Sequence, residues 1–94
     1  METQIMRVTK VGNLETYTSN KAEVGTVEKR NVVLQSIGGK YDDAFVVALF
    51  GLAARQPLAV GDIVAAKLCF LTHEYQNQIY QDISAREIVK LAKA

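Results

Sequence analysis

The sequence predicts a small all-β barrel. Apolar and polar residues alternate in short runs, which is the period of a half-buried strand. Glycines at Gly12, Gly25, Gly38-Gly39, Gly51 and Gly61 separate these runs at bends and turns. One segment alone has helix-forming composition, and it is too short for more than a turn or two. A domain of this kind works through a binding face and not through a reactive residue.

The first strand is read where Met6, Val8 and Lys10 alternate with Arg7, Thr9 and Val11, ending at Gly12 and Leu14. The stretch from Glu15 to Gly25 is polar, with turn chemistry at Thr16, Thr18, Ser19 and Asn20, and part of it could continue the strand before looping. Thr26 to Gln35 forms the second strand. Val27, Lys29, Asn31 and Val33 share one side, and Glu28, Arg30, Val32 and Leu34 share the other. Which side is buried stays open, because a one-residue slip exchanges the two faces.

Gly38-Gly39-Lys40 turns the chain towards Tyr41 and the solvated Asp42-Asp43 pair. Ala44 to Phe50 is the most apolar strand, with Phe45, Val47 and Leu49 expected inside and Ala44, Val46, Ala48 and Phe50 on the other face. Leu52 to Gln56 supplies the helical turn before Pro57. Gly61-Asp62 leads into a fourth strand over Ile63 to Thr72. Tyr75-Gln76-Asn77-Gln78 connects it to a fifth from Ile79 to roughly Val89, and Lys90 to Ala94 is expected to fray or end in a brief helix.

The connections are too short for parallel crossovers, so the strands are expected to pair antiparallel. Five strands with a short helical element between the third and fourth describe the oligonucleotide/oligosaccharide-binding (OB) barrel. An SH3-like barrel is the nearest alternative, and the apolar helical insert fits its connections less well.

A length of 94 residues implies one domain over 1–94, its core over about 5–90. Such a chain buries only about 60 to 65% of its unfolded surface, so oligomerisation is an expected source of stability. Cys69 is the only cysteine, which excludes an internal disulfide, and it reads as a small core hydrophobe. No apolar run is long enough to cross a bilayer and no leader is visible, so a cytoplasmic protein without membrane contact is expected.

The formal charge of +1 comes from 11 basic and 10 acidic side chains, so any phosphate-binding patch must come from their arrangement. Catalysis is not expected. His73 and Glu74 point to opposite sides of a strand, one histidine and one distant cysteine cannot complete a zinc site, and Gly38-Gly39-Lys40 lacks the rest of a phosphate loop. Neither a cofactor nor a metal is expected.

A barrel that holds single strands needs aromatic platforms for bases and cations for phosphates. Phe50, Tyr75, Tyr80 and Tyr17 are the candidate platforms. Arg7, Lys10, Lys29, Arg30 and Lys67 all lie on strands, but alternation prevents all five from sharing one side. Arg30, Lys67 and Lys10 are the candidate phosphate contacts, with His73 a further contact to a phosphate or base.

Three stretches together resemble the bacterial single-stranded DNA-binding protein family. Arg7-Val8-Thr9-Lys10-Val11-Gly12-Asn13-Leu14 is similar to its opening strand. Val46-Val47-Ala48-Leu49-Phe50-Gly51-Leu52-Ala53 is similar to its central strand and helical entry. Val60-Gly61-Asp62-Ile63-Val64-Ala65-Ala66 is similar to the turn into its fourth strand. The match keeps its order over nearly the whole chain, and the primosomal replication protein N group shares the same compact barrel.

The resemblance implies an OB fold, binding of single-stranded DNA or RNA, a homo-oligomer (dimer or tetramer), and work in DNA replication and repair. It puts Phe50 at a stacking position and Tyr75 near another. Ala44 stands where the family has an aromatic, and a larger side chain around Lys67 or Leu68 replaces a glycine. The short connection between the fourth and fifth strands argues against a long gripping hairpin. The sequence stops at Ala92-Lys93-Ala94 without the family's acidic tail, so tail-mediated recruitment of replication partners is not expected. A structural or protein–protein interaction barrel that has lost nucleic-acid binding is the alternative.

Overall fold

Alternation governs nearly every strand of the computed structural model, which describes residues 3–18 (17 and 18 as backbone only), 26–38 and 43–93. In chain order the elements are β1 (Thr3–Val11), β2 (Glu15–Thr18), β3 (Thr26–Ser36), β4 (Ala44–Phe50), α1 (Leu52–Arg55), β5 (Ile63–Tyr75) and β6 (Gln78–Ala92). They pair in the order β1-β5-β6-β4-β3-β2, and a further β1–β3 pairing joins the first strand back to the third. The result is a ring of five long strands with β2 attached to β3. Every pairing is antiparallel except a single parallel bridge between Ala48 of β4 and Ser84 of β6.

The sixth strand is the one the polar stretch after Gly12 supplies. Gly12 donates its N–H to the Asn31 carbonyl at 2.8 Å, and a Cβ there would lie 2.7 Å from the same oxygen. Only glycine allows this close approach, after which the chain turns and pairs again with β3. Tyr41 and Asp42, with the Gly39-Lys40 part of the turn before them, lie outside the described residues.

The core lies inside the ring. Met6 and Val8 of β1, Val32 and Leu34 of β3, Val47 and Leu49 of β4, and Val64, Ala66 and Leu68 of β5 are all buried. Burying a Val or Leu side chain is worth about 1.5–3 kcal/mol, so these residues fix which way each strand faces. On β3 the buried side is that of Arg30, Val32 and Leu34, and Lys29, Asn31 and Val33 face outward.

Three register shifts interrupt the ladders: one leaves Leu91 extra near the end of β6, and two bulges adjust this alternation. One lies between Val8 and Lys10 of β1, where Val8 pairs with Leu34 and Lys10 with Val33, leaving Thr9 extra. The extra residue carries Lys10 from the inward side of Met6 and Val8 to the outside. The other makes Arg86 the extra residue of β6, since Lys67 pairs with Glu87 and Leu68 with Ala85. Ala85 and Ile88 therefore both face the core despite their spacing of three.

The turn before β5 is fixed by a buried charge. Asp62 is only 1% exposed; its carboxylate accepts the Ala59 N–H at 2.8 Å and lies 2.9 Å from the Lys90 ammonium. Lys90 also donates to the Pro57 carbonyl. Lys90 is thus an ordered part of β6, which pairs as far as Ala92 instead of fraying after Val89. Cys69 alternates with the buried Leu68 and faces outward, partly exposed, because the core side of β5 belongs to the even-numbered residues.

The largest departure from expectation is the β5–β6 hairpin. The connection is only Gln76-Asn77, both with positive φ (51° and 64°), the geometry of a tight two-residue turn whose twist matches the strands. Pairing continues to Tyr75 and Gln78, and every residue from Leu71 to Asp82 is exposed. The strands themselves, and not a loop, make a long arm that extends beyond the barrel. Among the described residues no helix is long and apolar enough to cross a membrane.

Candidate nucleic-acid interface

The outward side of β3 and β4 is unusually free of large side chains at its centre. Register places Lys29 opposite Phe50, Asn31 opposite Ala48, Val33 opposite Val46 and Gln35 opposite Ala44. Small Ala48 lies between Asn31 and, through the parallel bridge, Ser84 of β6. The base of the hairpin rises beside this low point as a wall. The groove between them has a volume of about 430 Å³ and is lined by Lys29, Asn31, Val46, Ala48, Phe50, Leu71, Gln81, Asp82, Ile83 and Ser84.

Phe50 sits at one end of the groove, 42% exposed, where β4 gives way to Gly51. Gly51 takes a positive φ of 61° and donates its N–H to the Glu28 carbonyl, which turns the chain sharply into α1 and leaves the Phe50 ring at the strand's edge. The Lys29 ammonium lies 5.9 Å from the ring centroid, within cation–π range. A flat apolar platform and a mobile cation are therefore adjacent. One nucleotide could stack on the first and place its phosphate near the second.

The hairpin continues this face. Cross-strand pairs Leu71–Asp82, His73–Tyr80 and Tyr75–Gln78 point to the same side as Ser84, and Phe70, Thr72, Glu74 and Ile79 point to the other. The His73 and Tyr80 rings stack with centroids 5.0 Å apart and planes 16° apart. His73 Nδ1 lies 2.7 Å from an Asp82 carboxylate oxygen, and the Tyr80 hydroxyl donates to Gln78 Oε1 at 2.6 Å. Both contacts hold the stacked pair in place. Tyr75 stands at the tip, 63% exposed.

The sequence-based candidates thus divide. Phe50 lines the groove, and His73, Tyr75 and Tyr80 lie along the same face of the arm. Lys10 lies outward beside Val33, on the sheet surface that leads into the groove. Arg30 does not reach it: β3 buries the Val32–Leu34 side, so Arg30 turns inward, and its Nε is buried without a hydrogen-bond partner among the described residues. Lys67 does not reach it either, because it faces outward from β5 between Thr3 and Glu87, 3.9 Å from the Glu87 carboxylate. The Tyr17 backbone pairs with Val27, and its side chain lies outside the described residues.

Lys29, Asn31, Asp82 and Ser84 were not singled out in the sequence as site residues. Lys29 and Asn31 could have been found from the larger, more apolar character of Val32 and Leu34 on the opposite side of the strand. Asp82 and Ser84 carry no such signal, because only the bridge between β4 and β6 brings them to the groove.

No protein-family model and no curated protein sequence matches the chain. Among solved structures it is similar to the second OB-fold domain of replication protein A from Methanococcus maripaludis, with a TM-score of 0.70 at 14% identity. The likeness covers 98% of this chain and 84% of that one. At this identity it establishes the fold alone: a nearly all-β chain with a short helix between β4 and β5, arranged as an OB fold.

Proposed function

We propose that this OB fold is a non-catalytic module for binding single-stranded nucleic acid, with DNA its ligand, and that the strand lies in the groove between the β3–β4 face and the β5–β6 arm. The observation that carries the reading is the arrangement of Phe50 and Lys29 at one end of that groove, with the stacked His73–Tyr80 pair on the same face of the arm. OB folds that hold single strands combine stacking aromatics with cations that track the backbone. Similarity to an OB-fold domain of a replication protein supports the same reading, as does the resemblance of three sequence stretches to bacterial single-stranded DNA-binding proteins.

The charges favour weak binding at each site. Lys29 lines the groove, and Arg7 and Lys10 lie on the outward surface of β1 that adjoins it, opposite Gln35 and Val33 of β3. Three phosphates neutralised by these cations would give a log–log salt slope of about −2 for a single strand. A homo-oligomer would multiply such weak sites by linkage. The in-register row Ile5–Ala65–Val89 on the outside of β1, β5 and β6 offers an apolar surface for a second copy, with Ile5 49% and Val89 55% exposed. That row also favours the alternative reading, a structural or protein–protein interaction barrel.

The test is titration of a fluorescein-labelled thirty-nucleotide single strand at several salt concentrations. Saturable binding with a slope near that value supports the proposal. Absence of binding at low salt overturns it in favour of the interaction barrel.

A further inference from the structure

Resting on the nucleic-acid reading above, we propose that the groove selects bases with hydrogen-bond donors on their pairing edge, guanine foremost, over thymine and uracil. The two walls of the groove carry opposite charge. On the β3 side stands Lys29, with Lys10 and Arg7 farther out on the same sheet surface. On the hairpin side stands Asp82, whose carboxylate is held 2.7 Å from His73 Nδ1.

A carboxylate is an unusual lining for a groove that takes a polyanion. It repels phosphates and favours a strand that runs its backbone along the Lys29 wall and turns its bases towards Asp82. Two further polar groups line the same groove, each able to accept as well as donate, so Asp82 is its acceptor-only group. Gln81 donates one amide N–H to the Leu71 carbonyl at 2.9 Å, which tethers the side chain while its Oε1 and its second N–H stay available. Ser84 adds a hydroxyl oxygen at the groove floor.

An ionised carboxylate only accepts hydrogen bonds. Guanine presents N1–H and an N2 amino group side by side, spaced to meet its two oxygens. Adenine and cytosine each present one amino group. Thymine and uracil present one N–H flanked by two carbonyl oxygens, which would face the carboxylate's lone pairs. The His73 contact orients the group and uses one lone pair of one oxygen, which leaves acceptor capacity on both oxygens for the base.

The experiment compares three labelled strands of about fifteen nucleotides, within the span of one OB fold. These are oligothymidylate, the same strand with guanine at every third position, and that strand with hypoxanthine replacing guanine. A lithium buffer keeps the guanine strand from folding on itself. The guanine strand is expected to bind about fivefold more tightly than oligothymidylate, the lower end of what a bidentate base contact delivers. Hypoxanthine, which lacks the N2 amino group, is expected to lose most of that advantage. Asp82→Asn exchanges an acceptor for a donor and removes a negative charge. It is expected to abolish the guanine preference and to tighten binding of oligothymidylate. Equal affinity for the three strands, or a guanine preference that survives Asp82→Asn, overturns this inference while leaving the groove reading intact. Failure of every strand to bind overturns both.

Discussion

Phe50→Ala separates a binding role from a packing role, because the ring is only partly buried. Full burial of a Phe side chain is worth about 1.5–3 kcal/mol. With 42% of the residue exposed, truncation should cost stability only about 1 kcal/mol. In a domain of this size that lowers Tm by about 4–8 °C, so the variant remains folded at room temperature. Loss of a stacked base costs about 1–3 kcal/mol in binding, a factor of roughly 5 to 150 in Kd. The nearby Lys29 ammonium adds about 0.5–1 kcal/mol of cation–π attraction at an exposed site, which positions the lysine in the wild type and is lost with the ring. Fluorescence anisotropy with a labelled oligothymidylate, run beside thermal unfolding of the same samples, measures both quantities. Phe50→Tyr should retain most of the affinity, since it preserves the flat apolar platform. A Phe50→Ala protein that binds within twofold of wild type would refute the stacking assignment. Loss of self-association in that same protein would assign Phe50 to a subunit contact.

Further variants probe the charges and the backbone. Lys29→Ala should make the salt slope shallower by about 0.7, the share of one phosphate on a single strand, whereas Arg30→Ala and Lys67→Ala should leave it unchanged. Lys90→Met removes the ammonium facing the buried Asp62 carboxylate and should destabilise the fold by about 2–4 kcal/mol in urea unfolding, with the turn before β5 the first part to lose amide protection. Gly12→Ala would place a methyl 2.7 Å from the Asn31 carbonyl and should cost about 1–3 kcal/mol by the same assay. An unchanged midpoint in either stability variant would show that the corresponding contact does not constrain the barrel.

The parts of this fold legible in the sequence were those where side-chain volume decides. On β4 the large Phe45, Val47 and Leu49 fix the inward side, and that alone turns Phe50 outward to the groove. The one-turn helix before Pro57 and the antiparallel connections follow from length and composition in the same way. On β3 the alternating sets are less unequal near Lys29 and Arg30, so alternation left their faces open, and burial of Val32 and Leu34 turns Arg30 inward and Lys29 outward.

Bulges were beyond reach. Nothing in Val8-Thr9-Lys10 marks Thr9 as an extra residue, yet that residue moves Lys10 to the outer surface. The length of the hairpin was hidden for a different reason. Gln76-Asn77 lacks the Asn-Gly or Asp-Gly signature of a tight turn, although both residues adopt the positive φ that such a turn requires. The flanking residues are mixed in polarity because both faces of the arm are exposed, so no alternation extends beyond the barrel. The electrostatic division of the groove was illegible as well, since only the β3–β4 register and the β4–β6 bridge bring Lys29 and Asp82 to one groove.

Mapping of amide chemical shifts during titration with an unlabelled oligothymidylate tests the central claim most directly. Binding in the groove predicts that the perturbed amides cluster at Lys29, Asn31, Ala48, Phe50, Tyr80 and Ser84, with those of Ile5, Ala65 and Val89 unmoved. Shifts confined to the Ile5–Ala65–Val89 row, or absent throughout, would contradict it.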